Sequence, residues 1–238
     1  MTSISPLKDP YSEVILLEHC GGDETIAAAA RVSYAKDTKN FTDIQNKKLI
    51  KYMLEHEHGS PFEHTFIKFR VVAPLYVVQE MLRHRIGVSY NQQSARYTEF
   101  EPHFYTPLEF RESSPVNKQS SVESLTLPQA DIRDIYFETL QTSYDAYKRL
   151  LHIGVAKEQA RGVLPHCTYT SLYITFNLRS LLHFLKLRLA PGAQWETQQY
   201  AKAYLSLVKP LFPLTFESID ELNILYSDTY RNTLLSIF

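Results

Sequence analysis

Arg83-His84-Arg85-Ile86-Gly87-Val88-Ser89-Tyr90-Asn91-Gln92-Gln93-Ser94-Ala95-Arg96-Tyr97 gathers three guanidinium groups, one imidazole, three side-chain amides and two serine hydroxyls, with few aliphatic side chains to bury. Such a segment is poor core. A guanidinium offers a planar fork of donors that meets phosphate or carboxylate oxygens two at a time, so several together point to a flat anionic ligand. A solvated basic turn would share the composition, but the upstream flank argues for a held site. Pro74-Leu75-Tyr76-Val77-Val78-Gln79-Glu80-Met81-Leu82 reads as a helix opened by proline and stopped at Gly87. Arg83 to Arg85 then fall on its last turn, where the carbonyl end of the helix dipole tolerates cations, and the polar run beyond reads as a loop fixed at one end by a rigid element.

Outward from that stretch, the chain sets further bounds. Its 238 residues suffice for a substantial core, and no Gly/Ser- or Pro-rich linker divides them, so a single domain over 1–238 is expected. With 26 acids against 25 bases the formal charge is −1, which offers no global field for nucleic acid or an anionic membrane. The two cysteines, Cys20 and Cys167, lack C-x-x-C spacing, which argues against a disulfide framework or structural zinc and fits a reducing cytoplasm. Met1 to Tyr11 has no apolar targeting core, and no 18-residue apolar run follows, so neither targeting nor a membrane span is expected. None of the seven glycines forms G-x-G-x-x-G or a P-loop, so any nucleotide must be held by side chains. His56, His58 and His64 match no tetrahedral ligand spacing, and no metal is expected.

Taken in order, Glu13 to Leu17 reads as a strand, Asp23 to Arg31 as a helix, and Ile44 to Glu55 as a helix capped by Thr42 or Asp43. Thr65 to Val72 alternates like a strand. Residues 111–127 are polar without periodicity, which predicts a mobile surface segment. Pro128 to His152 is the clearest helix, stopped at Gly154; a short helix follows from Ala156 to before Pro165. Thr168 to Phe176 has strand composition, and Leu178 to Leu189 and Gln194 to Val208 read as helices. The tail from Pro210 has no clear pattern. Strands and helices mix without regular crossovers, so the expected class is α+β with an antiparallel or mixed sheet and packed helices.

Arg83-His84-Arg85, followed after eight residues by Ser94-x-Arg96-Tyr97, resembles the signature of the flavin-dependent thymidylate synthases, which make dTMP from dUMP. Ala160-Arg161-x-x-Leu164-Pro165, Asn177-Leu178-Arg179-Ser180-Leu181 and Leu187-Arg188-x-x-x-x-Ala193-Gln194-Trp195-Glu196 resemble the same family in the same order. With Ser60-Pro61-Phe62-Glu63-His64, the likeness spans about residues 25 to 215. It implies an α+β homotetramer using FAD, with NADPH and methylenetetrahydrofolate as co-substrates. It places Ser60, Arg83, His84, Arg85, Gln92, Asn177, Leu178, Arg179 and His183 where the family holds FAD. It places Glu80, Met81, Leu82, Arg83, Gln92, Gln93, Ser94, Ala95, Arg96, Arg161 and Arg188 where dUMP is held, partly by a neighbouring chain. Three departures stand out. The Arg85-to-Ser94 interval is one residue longer than in many members, Glu80 replaces a common glutamine, and His183 replaces a frequent asparagine, which leaves a flavin contact open to pH.

Residue spacing adds a geometric expectation. On the Leu178 helix Arg179 and His183 share a face, whereas Arg188 lies roughly 180° around at about 100° per residue. Either the helix ends before Arg188, or the two guanidiniums serve different ligands or different protomers, and the second reading argues for sites at the interfaces of an oligomer. Arg188 is the candidate catalytic group, stabilising negative charge at N3 of an activated uracil. Ser94 lacks a neighbouring base at convincing spacing, so a covalent serine is not expected. A non-catalytic flavin- or nucleotide-binding module is the alternative reading of the same arginines.

Overall fold

The computed structural model describes residues 2–34, 41–118 and 120–225. In chain order the strands are β1 (Ser3–Ile4), β2 (Glu13–Cys20), β3 (Phe66–Pro74), β4 (Val88–Gln92), β5 (Glu112–Ser113), β6 (Ser121–Val122) and β7 (Tyr169–Phe176). The helices are α1 (Asp23–Arg31), α2 (Asp43–Glu55), α3 (Leu75–Met81), α4 (Gln129–His152), α5 (Lys157–Ala160), α6 (Leu178–Arg188), α7 (Trp195–Val208) and α8 (Pro213–Leu222). One antiparallel sheet in the order β1-β2-β3-β7-β4 carries the fold, which makes it α+β.

Alternation decides which face of the sheet is core. Ile67, Phe69, Val71 and Ala73 of β3 are buried, as are Leu172, Ile174 and Phe176 of β7, while Lys68, Arg70 and Tyr173 between them face outward. The inner face packs on α6 and α7 through an aromatic cluster. Tyr204 lies 4.8 Å from Phe69 and 5.6 Å from Phe184, ring centre to ring centre, and Phe176 lies 5.7 Å from Phe184. Such tilted contacts suit the ring quadrupoles and fix the roll of α6 against the sheet. Thr42 caps α2 as expected, accepting from the Gln45 N–H, and at the start of α6 Asn177 Oδ1 accepts from the Ser180 N–H at 2.8 Å. Gly154, at φ +93°, ends the chain's longest described helix, α4.

Three expectations change. Pro74 ends β3 and stands at the N-cap of α3, one position earlier than expected, and α3 stops at Met81, so Arg83 to Arg85 lie beyond its last turn. The Tyr90 hydroxyl sits 2.7 Å from the Met81 carbonyl oxygen and 2.8 Å from that of His84, capping the helix end from the following strand. The polar run taken as a loop is in part β4, an edge strand paired with β7 from Val88↔Phe176 to Gln92↔Leu172. The segment 111–127 is not wholly irregular, since β5 and β6 pair as a small ribbon.

Candidate active site

The turn that delivers the basic residues depends on Gly87, whose φ is +68°. A Cβ there would fall 2.2 Å from Ser180 Oγ and 2.6 Å from Asn177 Nδ2, so the turn seats against the N-terminus of α6, and the Ser180 hydroxyl donates to the Ile86 carbonyl at 2.8 Å. Between this turn and α6 opens a cavity of about 480 Å³ lined by Arg83, His84, Arg85, Ile86, Ser180, His183, Leu187 and Arg188. A second cavity of about 770 Å³ lies on the other side of α6, where Arg179, His183 and Lys186 face Met53, Leu54, His58, Gly59 and Phe62. Arg179 and Arg188 thus address different cavities, and His183 borders both.

Arg188 is held in place by the protein. Its Nε donates to His84 Nε2 at 3.0 Å, its Nη2 to the Glu80 carbonyl at 2.9 Å, and its Nη1 pairs with Glu80 Oε2 at 2.9 Å. A guanidinium has five N–H groups, and these three contacts leave two for a ligand. Glu80 Oε1 also pairs with Arg83 at 3.2 Å. His84 is buried beneath this group, its ring 4.8 Å from that of Phe184. Burial first, then the nearby Arg188 and His183, lower its pKa to about 4, so near neutrality Nε2 is a lone-pair acceptor.

That depression has a measurable consequence. As pH falls below the ordinary histidine value of about 6.5, the unfolded chain takes up a proton that the folded His84 refuses. Stability from this residue therefore rises with pH between about 4 and about 6.5, and is level outside that window. Thermal unfolding of wild type and His84→Gln across this range should show a steeper pH slope for wild type, by up to one proton. Parallel slopes would refute the assignment.

Arg179 lies across Gly59, where a Cβ would fall 2.4 Å from its Nε, and pairs with Glu63. Ser60 is exposed beside it, and Arg85 is exposed without an ion pair among the described residues. At the far end of β4, Gln92 donates to Thr170 Oγ1 at 3.3 Å, and Gln93 and Arg96 are exposed. Arg96 and Arg161 meet through Glu158, whose carboxylate lies 3.8 Å from Arg96 Nε and whose carbonyl accepts from Arg161 Nε at 3.3 Å. The Ser94 hydroxyl accepts from the Arg96 N–H at 3.3 Å, with no imidazole or carboxylate bonded to it among the described residues. β4, about 17 Å of strand, runs between this group and the turn that carries Arg83–Arg85. The chain therefore presents two clusters instead of one.

Several residues of the expected ligand set are also engaged within the fold. The side chains of Met81, Ala95 and Leu178 are buried, and the Leu178 N–H is already given to Thr65 Oγ1 at 3.0 Å, so these three anchor the backbone. Leu82 is exposed next to Arg83. His84 is an acceptor for Arg188 before it is a cofactor residue. Asn177 spends its side-chain oxygen on the helix cap. The roles of Gly59 and Tyr90 went unread in the sequence. Gly59 carries only the weak signal of a glycine before a site serine, and Tyr90 is one of sixteen tyrosines.

Among the described residues no helix is long and apolar enough to cross a membrane, and no group of His, Cys, Asp or Glu is arranged to hold a metal ion. The family model described as thymidylate synthase complementing protein matches residues 15–214. A flavin-dependent thymidylate synthase of Kosmotoga olearia is 45% identical over 92% of this chain and 93% of its own. One from Thermus thermophilus is 43% identical over 87% of this chain and 75% of its own. The crystal structure of a UMP/dUMP methylase, PolB, from Streptomyces cacaoi bound with 5-Br dUMP superposes with a TM-score of 0.81 at 33% identity, covering 87% of this chain and 94% of that one. The match runs through both clusters and through four strands of the main sheet, β2 from Ile15 onward with β3, β4 and β7, and the chain belongs to the flavin-dependent thymidylate synthase family.

Proposed function

We propose that this chain converts dUMP to dTMP, taking the one-carbon unit from methylenetetrahydrofolate and reducing equivalents from NADPH through bound FAD. The observation that carries this reading is Arg188, fixed by three protein contacts with two N–H groups left toward a cavity. The residues fit a flavin dinucleotide. Arg179, His183 and Lys186 on α6 supply donors for a pyrophosphate in the larger cavity, Arg83 and Arg85 of a neighbouring protomer add to them, and Met53, Leu54, Phe62 and Leu182 supply an apolar wall for a planar ring. When bound, FAD supplies the redox chemistry, and the protein supplies position and electrostatics.

In this reading Arg188 stabilises negative charge at N3 and the adjacent carbonyls of the uracil as the ring is activated, without transferring a proton. Ser94 makes a polar contact to the nucleotide and no covalent bond. Arg96 and Arg161 take the phosphate. The Arg83–Arg188 and Ser94–Arg161 clusters flank β4 from its two ends, and each site combines the first cluster of one protomer with the second of another. The half-exposed outer face of the sheet, including Tyr173, offers a surface for that association, and the assembly is a homotetramer of single-domain cytoplasmic chains, each with 111–127 as a mobile surface segment around its ribbon. The purified protein should be yellow with non-covalent FAD released by denaturation, and should form dTMP from dUMP only with the folate and NADPH present. A colourless protein that fails to take up added FAD would overturn the reading in favour of a plain nucleotide-binding module.

A further inference from the structure

Glu80 occupies a position where a carboxylate should repel an incoming phosphate, yet both of its oxygens are already committed to cations. Oε2 lies 2.9 Å from Arg188 Nη1 and Oε1 lies 3.2 Å from Arg83 Nη1. Its main-chain carbonyl, on the last turn of α3, accepts from Arg188 Nη2 at 2.9 Å. A carbonyl there has no partner within the helix, and the negative end of the helix dipole favours a cation beside it. The third contact, from Arg188 Nε to His84 Nε2 at 3.0 Å, comes from a buried ring. All three guanidinium nitrogens are thus engaged by the protein. Arg188 arrives from the last turn of α6 and Glu80 from the last turn of α3, so the clamp ties the end of α3 to the helix that lines the smaller cavity.

We propose, building on the dUMP reading above, that Glu80 is a positioning residue that orients the Arg188 guanidinium toward the pyrimidine, and is not itself a ligand of the substrate. A free arginine side chain samples many rotamers, and charge stabilisation of a transition state depends on donors already aimed where charge develops. The clamp removes that freedom before substrate binds. Its carboxylate offsets part of the Arg188 charge, which lowers the field on the substrate, so the benefit lies in orientation. Glutamine at this position would keep an acceptor for Nη1 without the charge. Alanine would leave Arg188 held only by the Glu80 carbonyl and His84.

The experiment compares wild type, Glu80→Gln, Glu80→Ala, Arg188→Ala and the Glu80→Ala/Arg188→Ala double variant, each by steady-state dTMP formation and by flavin content. Glu80→Ala should lower kcat roughly 10- to 100-fold, the scale of a misplaced catalytic group, with KM for dUMP within about threefold of wild type and flavin content unchanged. Glu80→Gln should fall between the two. The double variant should be no slower than Arg188→Ala, because a residue that acts through Arg188 has nothing left to position. A Glu80 effect that persists in the Arg188→Ala background, or one that appears in KM alone, would make Glu80 a substrate ligand and overturn the proposal. Loss of flavin and melting temperature in parallel with activity would reduce it to a structural residue. A readout without turnover keeps the clamp separable from the function. The Arg188 Nε–H resonance, assigned through Arg188→Lys, should be protected from solvent exchange in the free wild-type protein and lose that protection in Glu80→Ala. If wild type made no dTMP, the functional reading would fall, and this resonance would still judge the clamp.

Discussion

Arg188→Ala should retain flavin and its slow reoxidation by oxygen while losing dUMP-dependent turnover on the order of 10²-fold or more, with the loss in kcat and not only in KM. The expected size follows from burial and orientation. The Arg188 side chain is 16% exposed, so its charge acts through protein more than through water, and its two remaining N–H groups are preset by the contacts to His84 and Glu80. Arg188→Lys should recover little, since an ammonium on a flexible stem cannot reproduce a fork held at three nitrogens. Arg179→Ala should behave oppositely. Its side chain is 57% exposed, pairs with Glu63 and lines the larger cavity, so its removal should lower flavin occupancy. The measurement is flavin absorbance per chain, then dTMP formation at saturating dUMP. Equal loss of flavin in both variants would show that α6 faces one ligand, contrary to the two cavities.

How much of this was legible beforehand depends on how far apart the determinants lie in the chain. The opposed directions of Arg179 and Arg188 follow from helical spacing alone, and α6 presents them to separate cavities. The helices with local caps, such as Thr42 on α2, were equally readable. β4 was not, because its outward residues Ser89 and Asn91 and its tip at Gln92 are polar. Only its inward set, with Val88 and Tyr90, meets protein, and its pairing partner β7 lies some eighty residues away. α8 failed for a similar reason. The N–H groups of Leu214 and Thr215 are accepted by Asp23 at 2.7 and 3.0 Å, a cap supplied from the other end of the chain. The clamp on Arg188 likewise joins positions more than a hundred residues apart, and Glu80 read in isolation looked like an obstacle to phosphate.

Gly87→Ala should be among the most disruptive small substitutions in the protein. Alanine at φ +68° carries about 1–2 kcal/mol of left-handed strain. Its Cβ would also meet Ser180 Oγ at 2.2 Å and Asn177 Nδ2 at 2.6 Å, contacts that must open before the residue fits. Opening them displaces the Asn177 cap of α6, worth about 1 kcal/mol, and the Ser180 bond to Ile86. Together these give an expected destabilisation of roughly 2–4 kcal/mol, read as a shift in the urea midpoint at unchanged slope. Gly154 provides the control, because it too has positive φ, at +93°, but a Cβ there meets nothing within 4 Å. Gly154→Ala should therefore show only the backbone strain and leave flavin content alone, whereas Gly87→Ala should lower flavin content as well, since the turn it distorts carries Arg83 to Arg85. If the two substitutions proved equally costly, close packing of the turn on α6 would not be what holds the basic cluster in place.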